Sequence, residues 1–175
     1  MSRFFSTLIF IALVTITMPL FAQAADFEVS GWIPYWKSFE GTKDAKKHLS
    51  ELTEVSPFAY SVTSKGDLKD LAGLKKSVWK KFIKDAEKED VRIIPTIMWS
   101  DTNNIHRILS DRDLREDHID KIVSMVKKGK YSGVDIDYEA KLAATRPYFS
   151  TFLEELDEEL GNKMLVCTIE ARTPT

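Results

Sequence analysis

The chain has a single cysteine, Cys167, so no internal disulfide can form and its core must hold it folded. It has no excess of basic charge: 25 Lys and Arg stand against 27 Asp and Glu, for a formal net charge of -2. That balance, with no basic stripe, excludes the electrostatic footprint of a nucleic-acid binder or a membrane-surface binder. Glycine is sparse, at 7 residues. No Gly-rich phosphate loop follows the first β-like run, so a dinucleotide-binding sheet is unsupported. The histidines His48, His106 and His118 lie in helical or loop stretches without metal-ligand spacing, and they read as surface or capping residues. No low-complexity linker and no two-domain break interrupts the chain. What is present is 30% charged and 43% hydrophobic, an ordinary globular balance.

The only long apolar run stands at the N-terminus. Arg3 precedes Phe4–Phe21, which is almost wholly apolar, and Ala22-Gln23-Ala24 supplies an A-x-A cleavage site. This pattern predicts a secretory signal peptide over residues 1–24 and an exported product, extracellular, periplasmic or in the cell wall. The alternative is an uncleaved anchor, because the run approaches the roughly 20 residues that span a bilayer. Residues 25–175 then form one domain, and about 150 residues can bury a core without disulfides.

Along that domain, short β-rich runs alternate with amphipathic stretches. The β-like runs are Glu28–Trp36, Val55–Thr63, Val91–Trp99, Gly133–Glu139 and Met164–Arg172. Ser77 is expected to cap a helix reaching Glu89. Asp113 and Glu116 have capping-box spacing. Pro147 suits the first turn of a helix ended by Gly161. The acids from Glu154 to Glu159 read as that helix's solvated face. Such alternation implies βαβ units and a parallel sheet. Pro57 and Pro95 fall inside predicted strands and predict local irregularity.

Residues Tyr131–Glu139 read YSGVDIDYE. Asp135, Asp137 and Glu139 alternate with Val134, Ile136 and Tyr138, the period of a strand. The acids then share one face, spaced about 7 Å apart. Crowded carboxylates in a partly desolvated site cannot all ionise easily, so one should titrate high, and such clusters mark functional sites. Aromatic and acidic residues recur at the C-terminal ends of the predicted strands: Tyr35 and Trp36, Tyr60, Trp99, Asp137 and Glu139, then Glu170 and Arg172. A barrel gathers its strand C-termini at one mouth, as a sugar-binding site would require. Cys167, inside an apolar strand, reads as a small buried hydrophobe.

The run Ser132–Glu139, SGVDIDYE, resembles the DGxDxDxE signature of glycoside hydrolase family 18, which those enzymes carry on the fourth strand of a (β/α) barrel. Gly31–Trp36 (GWIPYW) resembles the first strand of bacterial members related to spore-germination and peptidoglycan-associated hydrolases, and Thr168–Pro174 (TIEARTP) resembles the family's fifth strand. The resemblance implies an α/β fold: a partial (β/α)8 TIM barrel of parallel strands, roughly the first five β/α units. It implies hydrolysis of β-linked N-acetylhexosamine glycans, chitin- or peptidoglycan-like, with no cofactor and no metal. Glu139 would be the general acid/base, Asp137 would orient the substrate's N-acetyl group, and Asp135 would share a proton with Asp137. The strand-end residues Tyr35, Trp36, Tyr60, Trp99, Tyr138, Glu170 and Arg172 would contact sugar.

The chain departs from the pattern at Ser132, where the signature begins with Asp, and at its third strand, where PTIMWS replaces SxGG. A whole barrel of this kind takes about 250 residues, so the resemblance also implies a truncated copy whose isolated product is poorly soluble or inactive. Two other readings stand beside it. One is a carbohydrate-binding relative without turnover. The other is metal-dependent hydrolysis, with acidic side chains suited to Mg²⁺ or Ca²⁺.

Overall fold

In the computed structural model, which describes residues 27–169, the β-rich runs become strands of one seven-stranded sheet. The strands are β1 (Ser30–Pro34), β2 (Glu54–Val62), β3 (Leu68–Asp70), β4 (Arg92–Ile93), β5 (Thr96–Trp99), β6 (Gly133–Tyr138) and β7 (Met164–Cys167). The helices are α1 (Ser38–Ala45), α2 (Ser77–Lys88), α3 (Thr102–Ser110), α4 (Arg112–Gly129) and α5 (Arg146–Leu160). The segment 1–24, with its expected cleavage site, lies outside the described residues, as do Glu170 and Arg172.

The main path of the sheet runs β1-β2-β5-β6-β7, and every pairing on it is parallel. The order never reverses. A doubly wound sheet reverses at a switch point, whereas a barrel adds each strand beside the last. The topology is therefore that of successive barrel units, as expected. β3 folds back antiparallel on β2, and β4 pairs with the start of β2. Pro95 separates β4 from β5, because it has no N–H to donate to the ladder. Pro57 stays within β2, and the register against β5 shifts just beyond it, between Phe58 and Tyr60.

One face of the sheet carries the core. Ile33, Val55, Ile97, Val134 and Ile136 join Trp79, Phe82, Ile105, Ile119, Ile122, Phe152 and Leu156 from the helices in one buried cluster. Among the described residues no helix is long and apolar enough to cross a membrane.

Several helix details differ from expectation. Ser77 is the first residue of α2, not its cap; Lys76 takes the cap position without a side-chain bond. Asp111, not Asp113, caps α4, accepting the Leu114 N–H at 3.1 Å. Pro147 lies in the first turn of α5 and Gly161 closes it at φ +64°. The acidic face of α5 is not wholly solvated: Glu155 accepts from Arg115 of α4 at 2.7 and 3.0 Å, and Arg115 is itself buried. Cys167 is half-buried rather than buried.

Candidate active site

The site is built on β6, which fits between its neighbours because of one glycine. A Cβ on Gly133 would lie 2.1 Å from the Met164 carbonyl oxygen, so only glycine lets β7 approach. Beside it, Ser132 occupies the position of the signature's first acid. Its hydroxyl accepts the Ile93 N–H at 3.3 Å, which stitches β6 to the end of β4.

From there the alternation sorts side chains as expected. Val134, Ile136 and Tyr138 point to the helices, each with no exposed surface. Asp135 and Asp137 point to the other face. Asp135 is 1% exposed and tightly held: Thr96 Oγ1 donates to its Oδ2 at 2.8 Å, and Thr168 Oγ1 to its Oδ1 at 3.0 Å. Burial pushes the Asp135 carboxyl above its ordinary range; the two threonine hydroxyls pull it back, and Glu54 adds a smaller push. Asp137 is buried one step nearer the strand end. Glu139 follows the last strand residue. It is exposed, and its N–H donates to the Trp99 carbonyl at 2.8 Å.

Asp137 and Glu139 line one cavity of about 270 Å³ with Phe58, Ser61, Val62, Met98 and the start of the β5–α3 turn. The cavity lies at the C-terminal ends of β2, β5 and β6, where barrel enzymes place their chemistry. Trp36 stands 62% exposed beyond it, packed edge-on against Phe58 at 6.3 Å, with Tyr35 edge-on to Trp36 at 4.8 Å. Trp32 also meets Phe58, at 5.6 Å. Together these rings form an aromatic cluster that reaches the cavity at Phe58. Lys141 bonds the Tyr138 carbonyl oxygen and sits 4.6 Å over the Phe149 ring.

Two expected sugar contacts, Tyr138 and Tyr60, are placed elsewhere, and a third, Trp99, borders the cavity while its ring packs on the helix side. Tyr138 is fully buried on the helix side, stacked on Phe152 at 5.6 Å. Trp99 pairs in register with Tyr138 and shares its face; the indole packs on Tyr138 and His118, and the residue also lines the cavity. Tyr60 also turns to the helix side, where Tyr131 is its hydrogen-bonding partner. It lines a larger groove of about 1170 Å³ between α2 and α4 that does not include the acids. Sequence reasoning missed Thr96, Thr168, Phe58 and Met98 around the acids. It also misread His118, which is completely buried. His106 is half-buried, 3.0 Å from the Thr145 hydroxyl, whereas His48 is exposed as expected. Among the described residues no group of three or more His, Cys, Asp and Glu is arranged to hold a metal ion.

Buried carboxylates on the inner face of the fourth main-path strand, at the C-terminal end of a parallel sheet, stand where a (β/α)-barrel protein places its functional groups. The chain belongs to glycosyl hydrolases family 18, whose family model matches residues 31–174. It is 32% identical over 74 residues to YdhD of Bacillus subtilis (strain 168), whose name describes a sporulation-specific glycosylase; the match covers 41% of this chain and 18% of YdhD. The class V chitinase of Pseudomonas fluorescens Pf-5 superposes with a TM-score of 0.67 at 23% identity, over 80% of this chain and 44% of that one. The spore cortex-lytic enzyme SleL of Bacillus cereus superposes with a TM-score of 0.65 at 17% identity, over 81% of this chain and 35% of SleL. The chain thus spans less than half the length of each of these relatives. At such identities the two superpositions are a likeness of fold.

Proposed function

We propose that this protein is an exported glycosidase that hydrolyses β-linked N-acetylhexosamine glycans, chitin- or peptidoglycan-like, with retention of configuration. The observation that carries the reading is the shared cavity of Asp137 and Glu139 at the mouth, backed by Asp135 and lined by Phe58, on which Trp36 packs. Family membership supports it, as does the likeness to a chitinase and to a cortex-lytic enzyme.

Glu139 reaches solvent, so it can meet a glycosidic oxygen directly. It gives its proton to the leaving oxygen as the bond to the anomeric carbon breaks. The substrate's own N-acetyl carbonyl oxygen attacks that carbon from the opposite face, so no carboxylate nucleophile is needed. Asp137 faces the acetamido group and accepts its N–H, which aligns the carbonyl for attack. Asp135, held by two hydroxyls and pushed toward its protonated form by burial, lends a proton to the Asp135–Asp137 pair. Water then opens the cyclic intermediate while Glu139 takes back a proton, and the second inversion restores the original configuration. Aromatic rings at the mouth suit the apolar faces of sugar rings.

The test is turnover of N-acetylglucosamine oligomers and peptidoglycan fragments by the full chain, with product anomers followed by NMR. The β-anomer should form first, and Glu139→Gln should lower kcat by about 10²–10⁴-fold while the chain stays folded. Near-normal turnover by that variant would refute the mechanism. Binding without hydrolysis by the wild type would support the carbohydrate-binding reading instead. Export is checked by sequencing the N-terminus of the released protein, which should begin at Ala25.

A further inference from the structure

Behind the acids lies a buried imidazole that the mechanism above does not use. His118, on α4, is fully enclosed. Its Nδ1 is 2.8 Å from the Gly66 carbonyl oxygen and its Nε2 is 2.6 Å from the Tyr138 hydroxyl. A carbonyl oxygen only accepts, so Nδ1 carries the hydrogen and Nε2 accepts from the tyrosine. Phe152 stacks on both rings, at 5.9 Å from His118 and 5.6 Å from Tyr138, while Trp99 meets Tyr138 edge-on at 5.3 Å. The tyrosine is thereby held in one orientation.

Tyr138 is the residue between Asp137 and Glu139. In a strand, the direction of one side chain sets the opposite direction for its two neighbours. We propose that His118 is a positioning residue for the acids of β6: it fixes Tyr138, and through the Tyr138 main chain it fixes the aim of Asp137 and Glu139. This rests on the glycosidase reading for what those acids do.

The far end of the relay matters as well. Gly66 lies between β2 and β3, and β2 supplies Phe58 and Ser61 to the same cavity. His118 therefore ties the strand that bears the acids to the strand that forms the facing wall. Gly66 has φ +81°, and a Cβ there would sit 3.2 Å from Ile108 Cδ1 and 3.6 Å from His118 Nδ1, so the carbonyl is presented by a turn that favours glycine. The charged groups near the imidazole are Lys121, Asp117 and Asp67; Lys121 pairs with both acids, at 2.6 Å to Asp117 and 2.8 Å to Asp67. Burial keeps His118 neutral and lowers its pKa to about 4, which preserves the acceptor at Nε2.

The test uses the full chain with Tyr138→Phe, His118→Phe, their double variant, and Ile122→Val as a core change on the same helix. Nitrogen-15 NMR of the wild type should show the Nδ1–H tautomer. Each single variant should lower kcat about tenfold with KM nearly unchanged, and the double variant should be no worse than either. Ile122→Val should leave kcat unaltered. Unchanged kcat in Tyr138→Phe, with Glu139→Gln inactive, would overturn the proposal while leaving the glycosidase reading intact. If the wild type shows no turnover, that reading fails by itself, and amide exchange decides the positioning role. Exchange at the Glu139 amide should quicken about tenfold in Tyr138→Phe but not in Ile122→Val; equal exchange in both would overturn it. Tyr138→Phe keeps the ring and removes only the hydroxyl, so it serves even if His118→Phe does not fold.

Discussion

His118 shows how a single buried group can set the acid limit of the fold. Its pKa falls to about 4 in the folded chain, mainly because burial disfavours the charged form, against about 6.5 when unfolded. The unfolded chain then binds a proton that the folded chain refuses across that window. Stability is therefore full above pH about 6.5 and declines as pH falls toward 4, by on the order of 3 kcal/mol from this group. Asp135 works the other way, since its raised carboxyl favours the folded state as it takes up a proton at low pH. Urea unfolding at pH 7 and pH 5 should show the loss in the wild type and a smaller loss in His118→Phe; equal losses would show that His118 is not the group responsible. At this scale the period of two made the acids legible in the sequence. It also placed Tyr138 on the opposite face, and the rule of aromatics at strand ends wrongly set that aside. Tyr60 misled for another reason. By parity it should share a face with Phe58, but the register shift between them turns it to the helices. Pro57 hinted at irregularity without saying where the extra residue would fall.

Elements were legible where periodicity was long and hidden where it was short. The apolar faces of α2, α4 and α5 repeat at helical spacing, so these helices appear in the sequence with their ends blurred by a residue or two. α1 and α3 are shorter, at 8 and 9 residues. α3 begins Thr-Asn-Asn, weak helix formers, and forms because Asp101 caps it, accepting the Asn104 N–H at 3.2 Å, while Ile105, Ile108 and Leu109 bury their side chains. Side-chain pairings between helices were not legible at all. Arg115 and Glu155 lie 40 residues apart and join α4 to α5 through two bonds, and Arg115 Nη1 also donates to the Leu109 carbonyl at 2.8 Å. The charge-assisted bonds from Arg115 hold the Glu155 carboxyl below its ordinary range. Their contribution is therefore present above that range and lost as pH falls through it. Glu155→Ala leaves the buried guanidinium half-satisfied and should cost about 1–3 kcal/mol at pH 7. Chemical denaturation would measure it, and a change under about 0.5 kcal/mol, ordinary for a surface site, would show that the pair is not structural.

For the whole molecule, the strand order is that of a barrel, yet among the described residues β1 and β7 each pair with one neighbour only. The helix side of the sheet is buried. The other side leaves Trp32 53% exposed, and all four residues of β7 are only half-buried. A parallel edge with an apolar face recruits other strands, which is the hazard that charged edge residues suppress. Among the described residues β7 is such an edge. Its register places Met164 opposite Gly133, two positions before the Asp135 partner, so a charge there meets the edge without touching the carboxylate's threonine bonds. Met164→Lys keeps the unbranched shape and adds an ammonium that can reach water. Sedimentation velocity of the full chain at about 10–100 μM should show association in the wild type and markedly less in Met164→Lys. Urea unfolding of the two should differ by less than about 1 kcal/mol, because the substituted side chain is half-buried. A wild type that stays monomeric across that range would show that the β7 edge is already protected in solution. Association that the lysine leaves untouched would move the sticky surface to the exposed Trp32 and Trp36 of the inner face.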